Sequence, residues 1–296
     1  MQLVGTLPGG YWDASGTLHR RYELTLLSGR EEELLTATGA GSAEAVTAVL
    51  ASCLRRLGTI SPVGEDVTSE LLVGDRRYLM LHLRQAAFGD RVRAELVCPW
   101  PDCGRRVSLE LSLSDVPVSS LDDVPPPYTV TLSVEAAPGV SEVDRLIAFR
   151  LPTGADQREL SPLLAHNEGL ALSELLRRCV RRIGTQSPPS PQALEALTPL
   201  ARAEIEAAMA ELAPHVEDVI ETDCAECGRT IMVPFDLQRL FFGDLRTDRD
   251  LLYREVHYLA FHYHWSEREI MAMSRDQRRA YIDVLAGEID RLNHDG

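Results

Sequence analysis

Two stretches of this 296-residue chain, CLRRLGTISP (53–62) and CVRRIGTQSP (179–188), are near copies placed 179 − 53 = 126 residues apart. A repeat of this kind restricts the fold to one unit used twice, because each copy has to bury the same apolar positions. The register holds in both directions. Val46, Val49, Leu50, Cys53, Leu54 and Leu57 fall at the i, i+3, i+4, i+7 spacing of an amphipathic helix, and Leu172, Leu175, Leu176, Cys179, Val180 and Ile183 stand at the same offset. The spacing predicts a helix in each copy that stops at Gly58 or Gly184, where a left-handed residue can end it, before a Ser-Pro pair. LLVGDRRYLMLHLRQAAFG from Leu71 and LTPLARAEIEAAMAELAPH from Leu197 give a second helix, and Cys98 and Cys224 keep the offset of 126.

The repeated units run over 20–115 and 144–240, separated by SSLDDVPPPY, whose three consecutive prolines read as a linker. RRYELTLL and DRLIAFRL supply an opening strand to each unit. Alternation of Val92, Ala94 and Leu96, then of Val107, Leu109 and Leu111, predicts a β-hairpin with the cysteines at its tip, and TVTLSV from Thr129 is a further strand. The expected fold is α+β, two duplicated strand-helix-helix-hairpin units plus a C-terminal helical extension. The expected division is 1–118, a linker and strand at 119–143, 144–242, and a three-helix segment at 243–296.

Cys98 and Cys103 are spaced C-x4-C, Cys224 and Cys227 C-x2-C, and Gly104 or Gly228 follows each pair. This is the form of a zinc knuckle, in which two thiolates face the metal and a glycine permits the turn. One knuckle is half a site, so the two together predict a shared four-cysteine zinc ribbon, structural because four thiolates leave no open position. Two local disulfides or unmetallated thiols are the alternatives. Cys53 and Cys179, on apolar helix faces, read as small core residues.

The formal charge of −15 disfavours nucleic acid, whose backbone is bound by neutralising it with basic side chains, and points to protein partners. No stretch approaches a membrane span and the N-terminus lacks the pattern of a secretion signal, so a cytoplasmic protein with reduced thiols is expected.

After the second hairpin the character changes, and the segment from Asp244 has no counterpart after the first hairpin. Leu252, Val256, Leu259 and Tyr263 mark one helix face, and Ser266 with Glu269 and Ser274 with Gln277 are capping-box signatures. The segment reads as a long, a short and a moderate helix. Its 8 Arg against 11 acidic residues oppose a DNA-binding helix-turn-helix. His257, His262 and His264, beside Glu255, lack the i, i+4 pairing of a helical metalloenzyme site and read as packing or interface residues. The sequence carries no nucleophile elbow, phosphate loop or dinucleotide-binding turn, and a non-enzymatic protein is expected.

LLYREVHYLAFHYHWSEREIMAMSRDQRRAYIDVL contains Arg-Glu-Val-His at 254–257, Tyr263 with Trp-Ser-Glu at 265–267, and Arg278-Arg279 before Tyr281. With the two knuckles, FDL at 235–237 and VGDR at 73–76, the chain resembles the baseplate hub and hub-assembly proteins of contractile tails, as in T-even phages and extracellular contractile injection systems. The four-residue spacer of the first knuckle departs from the commoner two-residue form. The resemblance implies a structural component or assembly chaperone whose partners are hub or spike proteins, with neither nucleic acid nor membrane. His257, Tyr263, Trp265, Glu267, Arg278, Arg279 and Tyr281 are then the candidate partner-binding residues, Trp, Tyr and Arg being the types that anchor interfaces. A zinc-ribbon regulator acting on nucleic acid or transcription machinery is the alternative function.

Overall fold

The computed structural model describes residues 2–36, 42–234 and 237–294. The chain opens with a long antiparallel hairpin, β1 (Gln2–Trp12) and β2 (Leu18–Thr25), turned at Asp13, whose carboxylate accepts the Ser15 and Thr17 N–H groups. Helices α1 (Gly29–Thr36) and α2 (Ala43–Cys53) follow, and β3 (Leu54–Leu57) completes a sheet of order β1-β2-β3. A short α3 (Glu65–Glu70), a long α4 (Val73–Phe88) and the hairpin β4 (Arg91–Val97) with β5 (Arg106–Ser112) end this half. The connection contains β6 (Val118–Ser119).

The same order then recurs. Strands β7 (Tyr128–Thr131) and β8 (Leu146–Phe149) precede α5 (Gly154–Leu164) and α6 (Glu168–Cys179), and β9 (Val180–Ile183) completes a sheet of order β7-β8-β9. Next come α7 (Pro191–Glu195), α8 (Pro199–Leu212), β10 (His215–Val216), which pairs back onto β6, and the hairpin β11 (Val219–Asp223) with β12 (Thr230–Pro234). The tail is α9 (Leu237–Tyr263), α10 (Glu267–Met271) and α11 (Arg275–His294). Every pairing between these strands is antiparallel, so the chain is a mixed fold of helices and local sheets. Position 243 falls inside α9, and Phe235 and Asp236 of the FDL stretch lie outside the described residues.

The predicted helix across 46–57 and its copy end four residues early. Leu54 and Val180 turn into strands, and a bulge explains why they resemble helix in sequence. Leu24 pairs with Leu54 and Glu23 with Arg56, which leaves Arg55 as an extra residue; Phe149, Ala148 and Arg181 repeat the pattern. An extra residue shifts strand parity, so Leu54 and Leu57, three apart, both turn inward, 1% and 0% exposed. Gly58 and Gly184, at φ +57° and +55°, sit in the tight turn after these strands, where Leu57 exchanges backbone bonds with Ile60 and Ile183 with Gln186.

Each half has its own apolar core. Leu7, Tyr22, Leu24, Leu50, Leu57 and Leu79 are among the side chains that fill the first, and Ile147, Phe149, Leu176, Val180, Ile205 and Met209 are among those that fill the second. At about 1.5–3 kcal/mol per fully buried large apolar side chain, either core is enough to organise its half. Cys53 and Cys179 are fully buried in them, and burial pushes their thiols up to about 12 and about 11, which suits small core residues.

In the VGDR stretch Val73 and Gly74 meet the second half, at Pro152 and Pro214, while Asp75 and Arg76 bond within the first. A Cβ on Gly74 would stand 1.6 Å from the Pro214 carbonyl oxygen. Asp75 accepts the Gly9 and Gly10 N–H groups at 2.7 and 2.8 Å. Arg76, 1% exposed, donates to Thr47 Oγ1, Thr68 O and Ala43 O. The tail docks on the first half through α1, which packs against α9 and α10.

Candidate metal centre and partner-facing residues

The two cysteine hairpins lie side by side. Val107, Leu111, Ile231 and Val233 form a small core between them together with Cys98 and Cys224, and half-buried Leu96, Cys103 and Ile220 pack on it. Leu96, Val107 and Leu111 of the expected alternation join this core between the hairpins, whereas Val92 packs with Leu81, Leu113 and Val116. Each tip is closed by equivalent backbone bonds, Cys98 N–H to Arg105 O and Cys224 N–H to Arg229 O, both 2.9 Å. Gly104 and Gly228 adopt φ +55° and +68°, which a side chain would strain. The longer first tip closes with Cys103 and Gly104 both donating to Trp100 O, so its two extra residues are taken up in the turn.

This geometry brings the four sulfurs of Cys98, Cys103, Cys224 and Cys227 within 4.8 Å of one another, with Cys98 Sγ 3.9 Å from Cys227 Sγ. A tetrahedral zinc with bonds of about 2.3 Å places its sulfurs about 3.8 Å apart, so the donor set fits a metal of that kind. Cys98 and Cys224 are buried, Cys103 half-buried and Cys227 exposed. Backbone N–H groups of Cys227 and Glu226 draw the Cys224 thiol down to about 7, whereas burial pushes Cys98 up to about 12.

Around the tips the contacts are reciprocal. Arg105 of the first hairpin donates to Glu226 of the second at 2.6 Å, and Arg229 of the second donates to Asp102 of the first at 2.7 Å. Trp100 Nε1–H donates to Thr230 O at 3.1 Å, and the Arg229 guanidinium stands 5.1 Å from its ring centroid. These cross-hairpin partners are charged and aromatic residues beside the cysteines, a signal that the cysteine spacing alone did not single out.

The tail residues separate into three groups. Tyr263, Trp265 and Tyr281 stack with one another, with ring centroids 4.6–5.9 Å apart, and join the end of α9 to α11. His257, Glu267 and Arg279 are exposed, and Tyr281 is 41% exposed. Arg278 belongs to neither group. It is 0% exposed and donates to Glu255 at 2.8 Å, Glu32 at 2.9 Å and Met273 O, so it holds α11 to α9 and α1 and has no face to offer a partner. His262 and His264 are exposed without converging with His257 on a common site, and His257 and His262 pack against Phe261. Both predicted capping boxes form, at Ser266 with Glu269 and at Ser274 with Gln277.

Among the described residues no helix is long and apolar enough to cross a membrane. Neither a curated protein nor a solved structure matches the chain. The family model described as "T4 bacteriophage base plate protein" matches residues 20–242, both halves with their hairpins but not most of the tail. With three quarters of its length covered by that match, the chain belongs to the T4 bacteriophage base plate protein family.

Proposed function

We propose that the chain is a non-enzymatic structural or assembly protein of a contractile-tail baseplate hub, built from two copies of one unit that share a structural zinc. The observation that supports this reading is the meeting of four cysteines from two hairpins inside a family of baseplate proteins. Cys98, Cys103, Cys224 and Cys227 would hold the metal, which ties the hairpins together with all four positions filled by thiolate. The units are 1–118 and 144–242, joined through 119–143, and the tail at 243–296 carries the exposed His257, Glu267, Arg279 and Tyr281 beside Tyr263 and Trp265 toward hub or spike proteins.

Metal analysis of protein purified without chelator should find zinc at one per chain, and its loss in Cys98→Ser. Four freely titrating thiols without zinc would defeat the metal assignment. Tagged protein from the native host, sedimented against assembled particles, tests the baseplate role: co-sedimentation at fixed stoichiometry marks a component, and a soluble complex with one or two hub proteins marks an assembly factor. Trp265→Ala with Arg279→Ala should abolish partner binding while zinc stays bound; unchanged co-purification with hub proteins would remove the tail from the interface.

A further inference from the structure

Among the described residues three helix pairs share one arrangement, and two of them are filled. In each, a short helix (α3, α7 or α10) leads to a longer one (α4, α8 or α11) that carries an arginine near its start: Arg76, Arg202 and Arg278. Arg76 and Arg202 hold equivalent bonds, to Thr47 Oγ1 and Thr68 O in one case and to Ser173 Oγ and Leu194 O in the other. Arg202 and Arg278 each donate to the carbonyl five residues earlier, Leu197 O and Met273 O.

Two of these pairs receive the start of another helix. At Arg76 it is α5: Thr153 bridges Leu72, Gly154 N–H donates to Leu71 O at 3.1 Å, and a Cβ on Gly154 would stand 2.3 Å from Arg76 Nη1. At Arg278 it is α1: Ser28 bridges Ser274, Gly29 N–H donates to Met273 O at 3.2 Å, and a Cβ on Gly29 would stand 2.9 Å from Met271 Sδ and 3.3 Å from Arg278 Nη1. Both guests begin with one signature, Ser/Thr-Gly-x-Asp/Glu, as SGRE at 28–31 and TGAD at 153–156. The hydroxyl residue and the carboxylate cap the helix, with Ser28 N–H donating to Glu31 and Thr153 N–H to Asp156, both at 2.9 Å. The glycine lets the backbone lie against the arginine.

The third pair stands open. Arg76 and Arg278 are 1% and 0% exposed, whereas Arg202 is half-buried beside a cleft of about 300 Å³ that Leu170, Ser173, Leu176 and Leu194 also line. Leu170 is 58% exposed.

We propose that the cleft at Arg202 is a docking site for a helix of a different protein that begins Ser/Thr-Gly-x-Asp/Glu. A second copy of this chain is not the occupant, because the two helices here that carry the signature are already seated in the other two pairs. The guest's glycine N–H would share the Leu197 carbonyl with Arg202, as Gly29 shares Met273 O with Arg278. Pro199 stands where Val73 donates to Pro152 O, so that second backbone bond has no counterpart and the contact is the more readily reversed.

The surface is separate from the tail residues assigned above and needs a separate test. The full chain, with a photo-crosslinking benzoylphenylalanine in place of the exposed Leu170, is expressed in the native host and irradiated in purified hub complexes or particles. The expected product is a cross-link to another protein at a segment with the Ser/Thr-Gly-x-Asp/Glu helix start. Leu170→Arg should weaken that association at least tenfold with zinc content and thermal unfolding unchanged. A cross-link to a second copy of this chain, to a segment lacking the signature, or to nothing in complexes that contain the chain would overturn the proposal.

Discussion

Arg76 and Arg278 are both sealed from solvent at the start of a helix, yet the molecule meets their charge in two different ways. Arg76 has neutral acceptors, the carbonyls of Ala43 and Thr68 and the Thr47 hydroxyl, and burial draws its guanidinium down to about 10. Arg278 has two carboxylates, Glu32 and Glu255, and burial pushes the Glu32 carboxyl up in spite of the arginine beside it. The neutral set ties α4 to α2 and α3 within the first half, with the start of α5 lying against the guanidinium at Gly154; the ionic set joins the tail to the body. An ion pair is costly to desolvate and more costly to break on one side, whereas carbonyl and hydroxyl acceptors lose less when a donor is removed. The tail junction is thus the one that a single substitution or a change in pH can disturb most.

Removing the proposed zinc should have the largest effect, and it asks whether the contact of α5 with α4 beside Arg76 suffices to keep the halves together. Structural zinc contributes on the order of 10 kcal/mol in small zinc domains. Chelation should expose the amides of β4, β5, β11 and β12 to hydrogen exchange while those of α4 and α5, around Arg76, stay protected. If α4 and α5 lose protection with the hairpins, the Arg76 junction depends on the metal and the two arginines are not comparable as independent joints.

Replacing each arginine by methionine sharpens the contrast. Arg278→Met removes the hydrogen-bonded cation from buried Glu32 and leaves Glu255 only the longer contact to Arg279 at 4.0 Å, and should cost about 3–5 kcal/mol at neutral pH. Arg76→Met leaves neutral acceptors and should cost about 1–3 kcal/mol. The pH dependence separates them further. Without Arg278, the buried Glu32, whose carboxyl burial already raises, takes up a proton as the pH is lowered, so the penalty shrinks as pH falls; the Arg76→Met penalty stays flat. Denaturant titrations between pH 4 and 8 that gave parallel curves would show that the carboxylates do not govern the tail junction.

The same alternation between ionic and neutral partners recurs at the helix caps. Burial alone would raise the Asp156 carboxyl, but Arg150, the Thr153 N–H and Arg178 hold it well below the usual carboxylate range. Glu31, in the equivalent place on α1, is also lowered against its burial, but by the hydroxyls of Ser28 and Ser52 and the Ser28 N–H. A carboxyl depressed on folding contributes stability that is complete above its unfolded value near 3.9 and is lost as pH falls through the folded value. Asp156→Asn should cost about 2–3 kcal/mol at pH 7 and flatten acid unfolding below about pH 4. Glu31→Gln should cost about 1 kcal/mol, a cap's worth. Equal costs would mean that the arginines around Asp156 add nothing to the cap.

Much of this was legible in the sequence because it is local or periodic. Cysteine spacing located both hairpin tips, strand alternation located β4 and β5, and capping boxes placed the starts of α10 and α11. The misreading of Leu54 and Leu57 as helix came from a bulge, since an extra strand residue produces the three-residue spacing that a helix also has. Arg278 looked partner-facing because a buried arginine and an exposed one have the same letter, and its partner Glu32 lies 246 residues away. The strand β1 was missed because its glycines and proline break the alternation that strands usually announce.

The smallest expected effect is at the rim of the cysteine cluster, where the partners are ionic but exposed. Arg229 donates to Asp102 and Arg105 to Glu226, with all four side chains at least 40% exposed. Solvent screens such pairs, so they contribute little to stability, in contrast to the sealed pairs of Arg278. Asp102→Asn should therefore leave the unfolding midpoint unchanged within error, together with the content of the proposed zinc. The reciprocity of the two pairs gives the experiment its second arm. If they set only the register of one tip against the other, Asp102→Asn and Glu226→Gln should act alike and additively; a double variant that loses zinc would instead make the rim part of what holds the thiolates together.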